Sequence, residues 1–401
     1  MILYSMGNRG MIKYEEGLAI VLDHAIFTGT ETVSFIASAG RVLASDVISD
    51  IDMPPFNKAA VDGYACRKED LKTEMKVLEV INAGKTPQKK ITSGTCSKIM
   101  TGAPVPEGSD FVFMVEDSQT GIDGMVTFTG SSNKDNIARV GEDVRSGDRV
   151  LRKGKIIRPQ DVAVMASVGC TLVTVSRMPR IGIISTGSEL VEPSSRPAMS
   201  QIRNSNAYQL LAQSERAGAT GRYYGIAIDD EEITFRMLSK ALEENDLVLM
   251  TGGVSMGDFD FVPEVLQRTG VEIIFDRMAV QPGKPTTFGV RKDNVVFGLP
   301  GNPVSSFIQF EILVRPLLMK MMGCEWHPVQ WELPLGTVYS RKRVSRMGWI
   351  PVKITANGEA VPVEYHGSAH ISALPDADGI MPIPVGVSKI EKGTMVNVRQ
   401  I

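Results

Sequence analysis

The stretch LVLMTGGVSMGDFDF (247–261) decides how the middle of this chain is read. Four apolar residues, Leu247 to Met250, read as a buried strand that stops at Thr251-Gly252-Gly253. A hydroxyl, Ser255, and two carboxylates, Asp258 and Asp260, then crowd into the next positions. Glycines let backbone amides approach a neighbour closely. A helix starting just beyond them offers unpaired N–H groups and a partial positive charge, which suits an anion.

Working outward, the same pattern recurs. Arg180 to Ser185 reads as a strand leading into Thr186-Gly187-Ser188-Glu189, and Tyr224 to Ile228 as a strand ending at Asp229-Asp230. Val295 to Phe297 is a strand before GLPGNPVSS (298–306). Apolar spacing predicts helices from Asn204 to Ala217, closed by Gly218, and along Ile233, Met237, Leu238, Ala241 and Leu242. Further helices are predicted from Val262 to Arg268 and from Pro303 onward, the last bent near Pro316. Strand–helix alternation predicts an α/β domain whose mostly parallel sheet is covered on both faces. Ligands of such sheets bind beyond the carboxyl ends of the strands, so the four polar segments are expected on one edge. Each alone also reads as a tight turn, an N-cap or a solvated acid; their convergence points to a site.

Elsewhere, Tyr14 to Phe27 is predicted helical, with Tyr14, Leu18, Val21, Leu22 and Ala25 on one face. From about Ser49 to Asp148, β-prone pieces (Met75 to Ile81, Phe111 to Val115) alternate with turn clusters, which predicts a β-rich insertion. Arg158 to Val168, with Pro159 early, reads as a short helix returning to the first region. After Glu325-Trp326-His327-Pro328, short strands with Asn357-Gly358 and Lys392-Gly393 turns suggest a small β-barrel or sandwich.

At 401 residues several domains are expected, and 43% hydrophobic with 22% charged residues is a soluble, globular composition. A net charge of -3 gives no general reason to bind nucleic acid or an anionic membrane. Cys66, Cys96, Cys170 and Cys324 form no CxxC pair, which argues against structural zinc and a disulfide framework and for a reducing cytoplasm. His366 and His370 lack an HExxH context and read as solvated. No apolar run nears the roughly 20 residues of a membrane span. The opening MILYSMGNRGM lacks a signal-peptide pattern and reads as a loose end or an upstream extension. GxxxxGK[ST] and GxGxxG are absent, which disfavours an NTPase or a Rossmann dehydrogenase.

Glu189, Asp229, Asp258 and Asp260 supply the hard oxygens that Mg²⁺ takes beside phosphate and water. Pro300-Gly301-Asn302-Pro303 sets a rigid turn at a helix start, so the combination suggests metal-assisted chemistry on a phosphate or pyrophosphate. In QPGKP (281–285), Lys284 is held between prolines and suits an oxyanion, with Arg277 as a second cation. Arg341-Lys342-Arg343 and Arg346 read as a solvated face, or as oxyanion ligands if turned inward. PPFNKAAVDGYA (54–65), MTGAPVPEGSD (100–110) and ARVGEDVRSGD (138–148) read, on physics alone, as turns.

AGRVLASDV (39–47), PPFNKAAVDGYA, TGAPVPEGSD, NIARVGED (136–143), STGSEL, TGGVSMGDFDF, PGKP and GLPGNPVSS occur in one order along nearly the whole chain. Together they resemble the molybdopterin molybdenumtransferases, which complete molybdenum cofactor synthesis and are similar to the E domain of gephyrin. The resemblance implies four subdomains: a helical and β linker (12–48 with 149–178), a β-rich insertion (49–148), an α/β molybdopterin-binding domain (179–326) and a C-terminal β-barrel (327–401). It also implies a cytoplasmic homodimer whose cleft lies between the α/β domain of one subunit and the β-rich domain of the other, with a molybdopterin adenylyltransferase as a further candidate partner. The implied reaction takes adenylyl-molybdopterin and molybdate, uses Mg²⁺ and releases AMP.

Carried onto this sequence, the resemblance puts the functional acids at Asp62, Asp143, Glu189, Asp229 and Asp260, with Thr101 beside them, and the metal ligands among Glu189, Asp229 and Asp260. Gly252, Gly253, Ser255, Pro300, Gly301, Asn302 and Pro303 shape the ligand cradle, Arg277 and Lys284 face molybdate, and Ser368 in HGSAH joins from the last domain. Three departures stand out: Asn57 lacks a usual carboxylate, Ala59 lacks a usual hydroxyl, and Gln281 sits where lysine is common. They bear on oxyanion binding and on the choice of molybdate over tungstate. A molybdopterin adenylyltransferase would resemble the α/β domain alone, so the additional domains argue against it. A non-catalytic, gephyrin-like scaffold is disfavoured by the intact acids.

Overall fold

The computed structural model describes residues 10–131, 133–253, 262–364, 367 and 369–401. Its central sheet orders six strands as Thr220–Ala227, Arg180–Thr186, Leu247–Thr251, Asn294–Leu299, Thr287–Arg291 and Glu272–Phe275. The first four run parallel, and the last two pair antiparallel. The sheet is therefore mixed. The two strands of this edge, of which only Thr287–Arg291 runs against the other five, escaped the sequence reading: Glu272–Phe275 is only four residues long, and Gly289 interrupts Thr287–Arg291.

Side chains alternate across this sheet with the two-residue period of a strand. Ile181, Ile183, Leu247, Leu249, Val295 and Phe297 pack with Ala207 and Leu210 of helix Asn206–Arg216 and Ile308 of helix Pro303–Gln309. Ile184, Val248, Met250 and Val296 face the opposite way, onto Leu238 and Leu242 of helix Glu231–Glu244 and Leu266 of helix Val262–Arg268. Burial on both faces explains the unbroken apolar run at 247–250.

Near Pro316, where a bend was expected, a π-helical stretch, Phe310–Val314, lies between helices Pro303–Gln309 and Arg315–Met321. Proline has no N–H to donate and its ring crowds the carbonyl four residues back, so the wider turn relieves the clash. The first helix is shorter than its periodicity suggested. It spans Tyr14–Asp23, and His24 closes it with Nδ1 placed 2.8 Å from the Ile20 carbonyl oxygen.

Thr30–Ser34 pairs with Leu172–Ser176, and Val47–Ile48 with Arg149–Leu151, so the chain does return to its first region. Leu43, Val47, Leu151, Ile157, Met165 and Val175 share one small core there. Between these segments lies a second six-stranded sheet, built from strands between Gly63 and Phe128. A third six-stranded sheet gathers strands between Gln330 and Gln400, together with Val280–Gln281. That short strand runs parallel to Met347–Ile354 and fastens the QPGKP loop to the C-terminal sheet. Among the described residues no helix is long and apolar enough to cross a membrane.

Asp230 is the N-cap of helix Glu231–Glu244, its Oδ1 accepting the Ile233 N–H at 2.8 Å. Replacing it with Ala is expected to destabilise the protein by about 1 kcal/mol, measured by denaturant unfolding. No loss of stability would remove the capping role.

Candidate functional site

The four parallel strands end level. Thr186 is in register with Ala227, Ser185 with Thr251, and Thr251 with Leu299. The segments that leave them therefore start along one rim, as expected from the sequence. A cavity of about 620 Å³ opens there, lined by Glu189, Gly252, Gly253 and the Pro300-Gly301-Asn302-Pro303 corner.

The two glycines act partly otherwise than expected. Gly252 (φ +89°) and Gly253 (φ +58°) press against Thr186: a Cβ on Gly252 would collide with its carbonyl oxygen, and one on Gly253 would lie 2.6 Å from its Oγ1. Side chains are excluded by protein contact as well as by the cavity. The 300–303 corner abuts this turn, with the Gly252 N–H donating to the Leu299 carbonyl at 3.2 Å. Asn206 bridges the two: its Nδ2 donates to Thr251 Oγ1 and to the Gly301 carbonyl, both at 2.8 Å.

Asp229 does not line this cavity, but it is tied to the turn that carries Glu189. The Ser188 N–H donates to Asp229 Oδ2 at 3.1 Å, and the Asp229 N–H to Ser188 Oγ at 3.1 Å. A Cβ on Gly187 (φ +136°) would clash with the Glu189 carboxylate, so that carboxylate folds back over the turn. Among the described residues no three His, Cys, Asp or Glu side chains gather into a metal cluster. Ser255, Asp258, Asp260 and Ser368, and His366 with them, lie outside the described residues.

The structure brings Asp62 and Thr101 together. Thr101 donates both its N–H and its hydroxyl to Asp62 Oδ1, each at 2.7 Å. The hydroxyl bond, followed by the backbone bond, holds the Asp62 carboxyl below its usual range. Asp143 lines a separate cavity of about 580 Å³ with Asp52, Met53, Pro54 and Lys58. Neither Asp143 nor the Asp62–Thr101 pair lines the strand-end cleft.

Lys284 is exposed, and its neighbour Pro285 lines the cleft. Arg277 does not line it; its Nε stands 4.0 Å from Asp276 Oδ1. Arg341 is half-buried and its guanidinium is spent on main chain: it donates to the carbonyls of Val387 (2.8 Å), Arg346 (3.0 Å) and Pro384 (2.6 Å). Arg346 donates to the Val280 carbonyl at 3.2 Å. Burial lowers the pKa of both guanidinium groups. Lys342 and Arg343 remain exposed.

Sequence reasoning missed Asn204, Asn206, Ile202 and Arg203 from one wall of the cleft, and Ala369 and Ile371 from the C-terminal region. The run RNSN (203–206), polar and set directly before a helical apolar pattern, was the available signal.

Exchanging Thr101 for Val deletes the hydroxyl donor and keeps the backbone one. The Asp62 titration midpoint is then expected to move up toward the ordinary carboxylate value, so its charge is lost at a higher pH as the solution is acidified. Carboxyl-carbon NMR through an acid titration measures this, and an unmoved midpoint contradicts the assignment.

Three family models match the chain in order: the MoeA N-terminal region (domain I and II) over residues 12–169, a probable molybdopterin binding domain over 182–320, and the MoeA C-terminal region (domain IV) over 339–401. The molybdopterin molybdenumtransferase of Staphylococcus epidermidis is 32% identical, the match covering 98% of this chain and 96% of the relative. That of Bacillus subtilis is 33% identical, covering 92% and 89%. The crystal structure of the molybdopterin biosynthesis moeA protein from Pyrococcus horikoshii OT3 superposes with a TM-score of 0.86 at 33% identity, covering 98% of this chain and 100% of that one. With level strand ends, a glycine-built cleft and full-length similarity in one sequence, the chain belongs to the molybdopterin molybdenumtransferase family.

Proposed function

We propose that this chain performs the reaction its relatives are named for. Molybdenum passes from molybdate to the dithiolene of molybdopterin, which arrives as an adenylyl conjugate and leaves AMP behind. The observation that carries this reading is the convergence of Glu189, Gly252, Gly253 and the 300–303 corner on one cleft, with Asp229 tied into the same turn.

In this reading the backbone at 252–253 and 301–302 cradles the pyrophosphate; the Gly252 N–H stays on the Leu299 carbonyl and the other amides serve as donors that need no rearrangement as charge develops. Asn206 fixes the spacing of the two cradle turns. Lys284, with Arg277 behind it, brings the oxyanion to the dithiolene, so that proximity lowers the barrier. Ser255, Asp260 and Ser368 are assigned to the same site by their positions in the sequence. The donor set suits Mg²⁺, which binds through one or two carboxylates and completes its shell with phosphate oxygens and water. Glu189 and Asp229 would hold it, and when bound it supplies neutralisation of pyrophosphate charge.

Asp62, Thr101 and Asp143 line no part of the strand-end cleft within one chain. Our reading is that they complete the cleft of a second subunit in a homodimer. The matching division of the chain is a linker (12–48 and 149–178), a β-rich domain (49–148), an α/β domain (179–326) and a C-terminal barrel (327–401), in a protein of the cytoplasm.

The deciding experiment supplies adenylyl-molybdopterin, Mg²⁺ and either molybdate or tungstate, then measures AMP and protein-bound metal. Absence of AMP release, or ATP-dependent adenylylation in its place, would refute the reading. Glu189→Gln is expected to lower AMP release at least 10- to 100-fold, since even partners behind a metal ligand are worth that much, while thermal unfolding stays near wild type. Mixing Glu189→Gln subunits with Asp62→Asn subunits and letting them exchange tests the shared cleft. A two-fold dimer would regain roughly a quarter of wild-type turnover, whereas no regain means that the acids act within one chain.

A further inference from the structure

Gln309, the last residue of helix Pro303–Gln309, is wholly buried. Its Nε2 donates to the Pro282 carbonyl at 3.1 Å. Gly283 (φ +109°) presses on the same amide, where any Cβ would collide with Gln309 Nε2. The next two carbonyls of QPGKP are held as well. Thr286 Oγ1 donates to the Gly283 carbonyl at 2.8 Å, and the Lys284 carbonyl accepts the N–H groups of Met278 (2.9 Å) and Thr286 (3.0 Å). Three consecutive carbonyls are thus occupied from within the protein, while Lys284 is exposed and Pro285 lines the cleft.

The loop is gripped from several sides. Strand Val280–Gln281 ties it to the C-terminal sheet. Ile12 brackets its approach, donating to the Arg277 carbonyl at 3.0 Å and accepting the Ala279 N–H at 2.7 Å. Gln309 ties it to the helix whose start is the 300–303 corner, and that helix rises about 9 Å between Pro303 and Gln309. Stability gives a weak reason for a glutamine here. Its Oε1 is buried with no partner among the described residues, and an unsatisfied acceptor offsets much of what the Nε2 bond contributes. What remains is the placement of the loop.

We infer that Gln309 is a positioning residue for the tetrahedral oxyanion, setting where Lys284 stands relative to the pyrophosphate cradle. The inference rests on the reading above that Lys284 holds the oxyanion. It adds the residue that keeps that lysine and the cradle in step. Gln309 lines no part of the cleft, so it acts through the loop. Attraction between a lysine and a dianion falls with distance, and a misplacement of about 1 Å between reacting groups can cost on the order of 100-fold in rate.

The test titrates molybdate by calorimetry into the full chain as wild type, Gln309→Met, Gln309→Leu, Lys284→Met and the double variant Gln309→Met with Lys284→Met. Both exchanges at 309 nearly keep the volume and delete the donor. Each is expected to weaken molybdate roughly ten- to hundredfold, the scale of one displaced charged contact. Inorganic pyrophosphate, the probe of the cradle, is expected to bind unchanged. In turnover the KM for molybdate rises and that for adenylyl-molybdopterin does not, a split that lost stability by itself would not produce. In the Lys284→Met background, exchanging Gln309 is expected to add nothing, because it acts through the lysine. Multiplying effects, equal weakening of both probes, or unchanged molybdate affinity overturns the positioning role. So does failure of both 309 variants to fold, which would make glutamine a requirement of the core. If wild type binds no molybdate, or Lys284→Met binds it as wild type does, the lysine assignment fails and the role of Gln309 falls with it. If wild type releases no AMP but loses molybdate on exchange of Gln309, the transferase reading fails and the positioning role stands.

Discussion

The turn after strand Leu247–Thr251 can lie where it does only because residues 252 and 253 have no side chains. Thr186, at the end of the adjacent strand, occupies the space that either Cβ would need, and both residues hold positive φ. An L side chain at either position is strained twice, by backbone conformation and by contact. That close approach lets Gly301 follow, with the position of its Cβ only 3.5 Å from the Gly252 Cα, so two strand-end turns pack almost backbone to backbone. The wall these turns give the cleft is therefore main chain, with no side chain at 252, 253 or 301. The rest of the cleft is arranged around this contact.

Backbone packed so tightly leaves polar groups that must be satisfied from within. The buried asparagines serve this need. Asn206 gives its amide hydrogens to Thr251 and Gly301, and Asn204 links Ser185, Ala207 and Tyr223. Both lie at the start of helix Asn206–Arg216, which is packed on the sheet through Ala207 and Leu210. Apolar burial thus sets the position of the polar staples, and the staples set the spacing of the cradle. The same logic extends to a shallower cavity beside the cleft, since Asn204 lines both.

The parts legible in the sequence were those with a local signature. A buried parallel strand is an apolar run, its exit is a glycine pair, and the rise of polarity at the carboxyl end is visible without coordinates. Pro316 marked the place where the helix leaves regular α geometry for an equally local reason. Features that depend on a distant partner were not legible. Nothing in Val280–Gln281 says that it will pair with Met347–Ile354. Arg341 looks solvated beside Lys342 and Arg343 until the carbonyls of Val387 and Pro384 converge on it. Asn206 resembled an ordinary helix-start residue, because its two acceptors lie 45 and 95 positions away.

Long-range contacts also sort the three departures from the family pattern. Asn57 Oδ1 accepts the Val140 N–H at 2.9 Å, a bond that an amide oxygen makes as a carboxylate would, so that substitution preserves the loop. Ala59 is buried among Ala65, Ile99, Ala103 and Val112, where a hydroxyl would have met apolar neighbours. Gln281 is different. It stands in the strand that fastens the QPGKP loop, three residues from Lys284, and a neutral amide there leaves that loop with one cation. In the proposed reading this loop holds the oxyanion; molybdate and tungstate carry the same charge, so one positive charge fewer would weaken both alike. Any preference between them therefore has to arise from contact geometry, and the Gln281 substitution alone supplies no electrostatic basis for it.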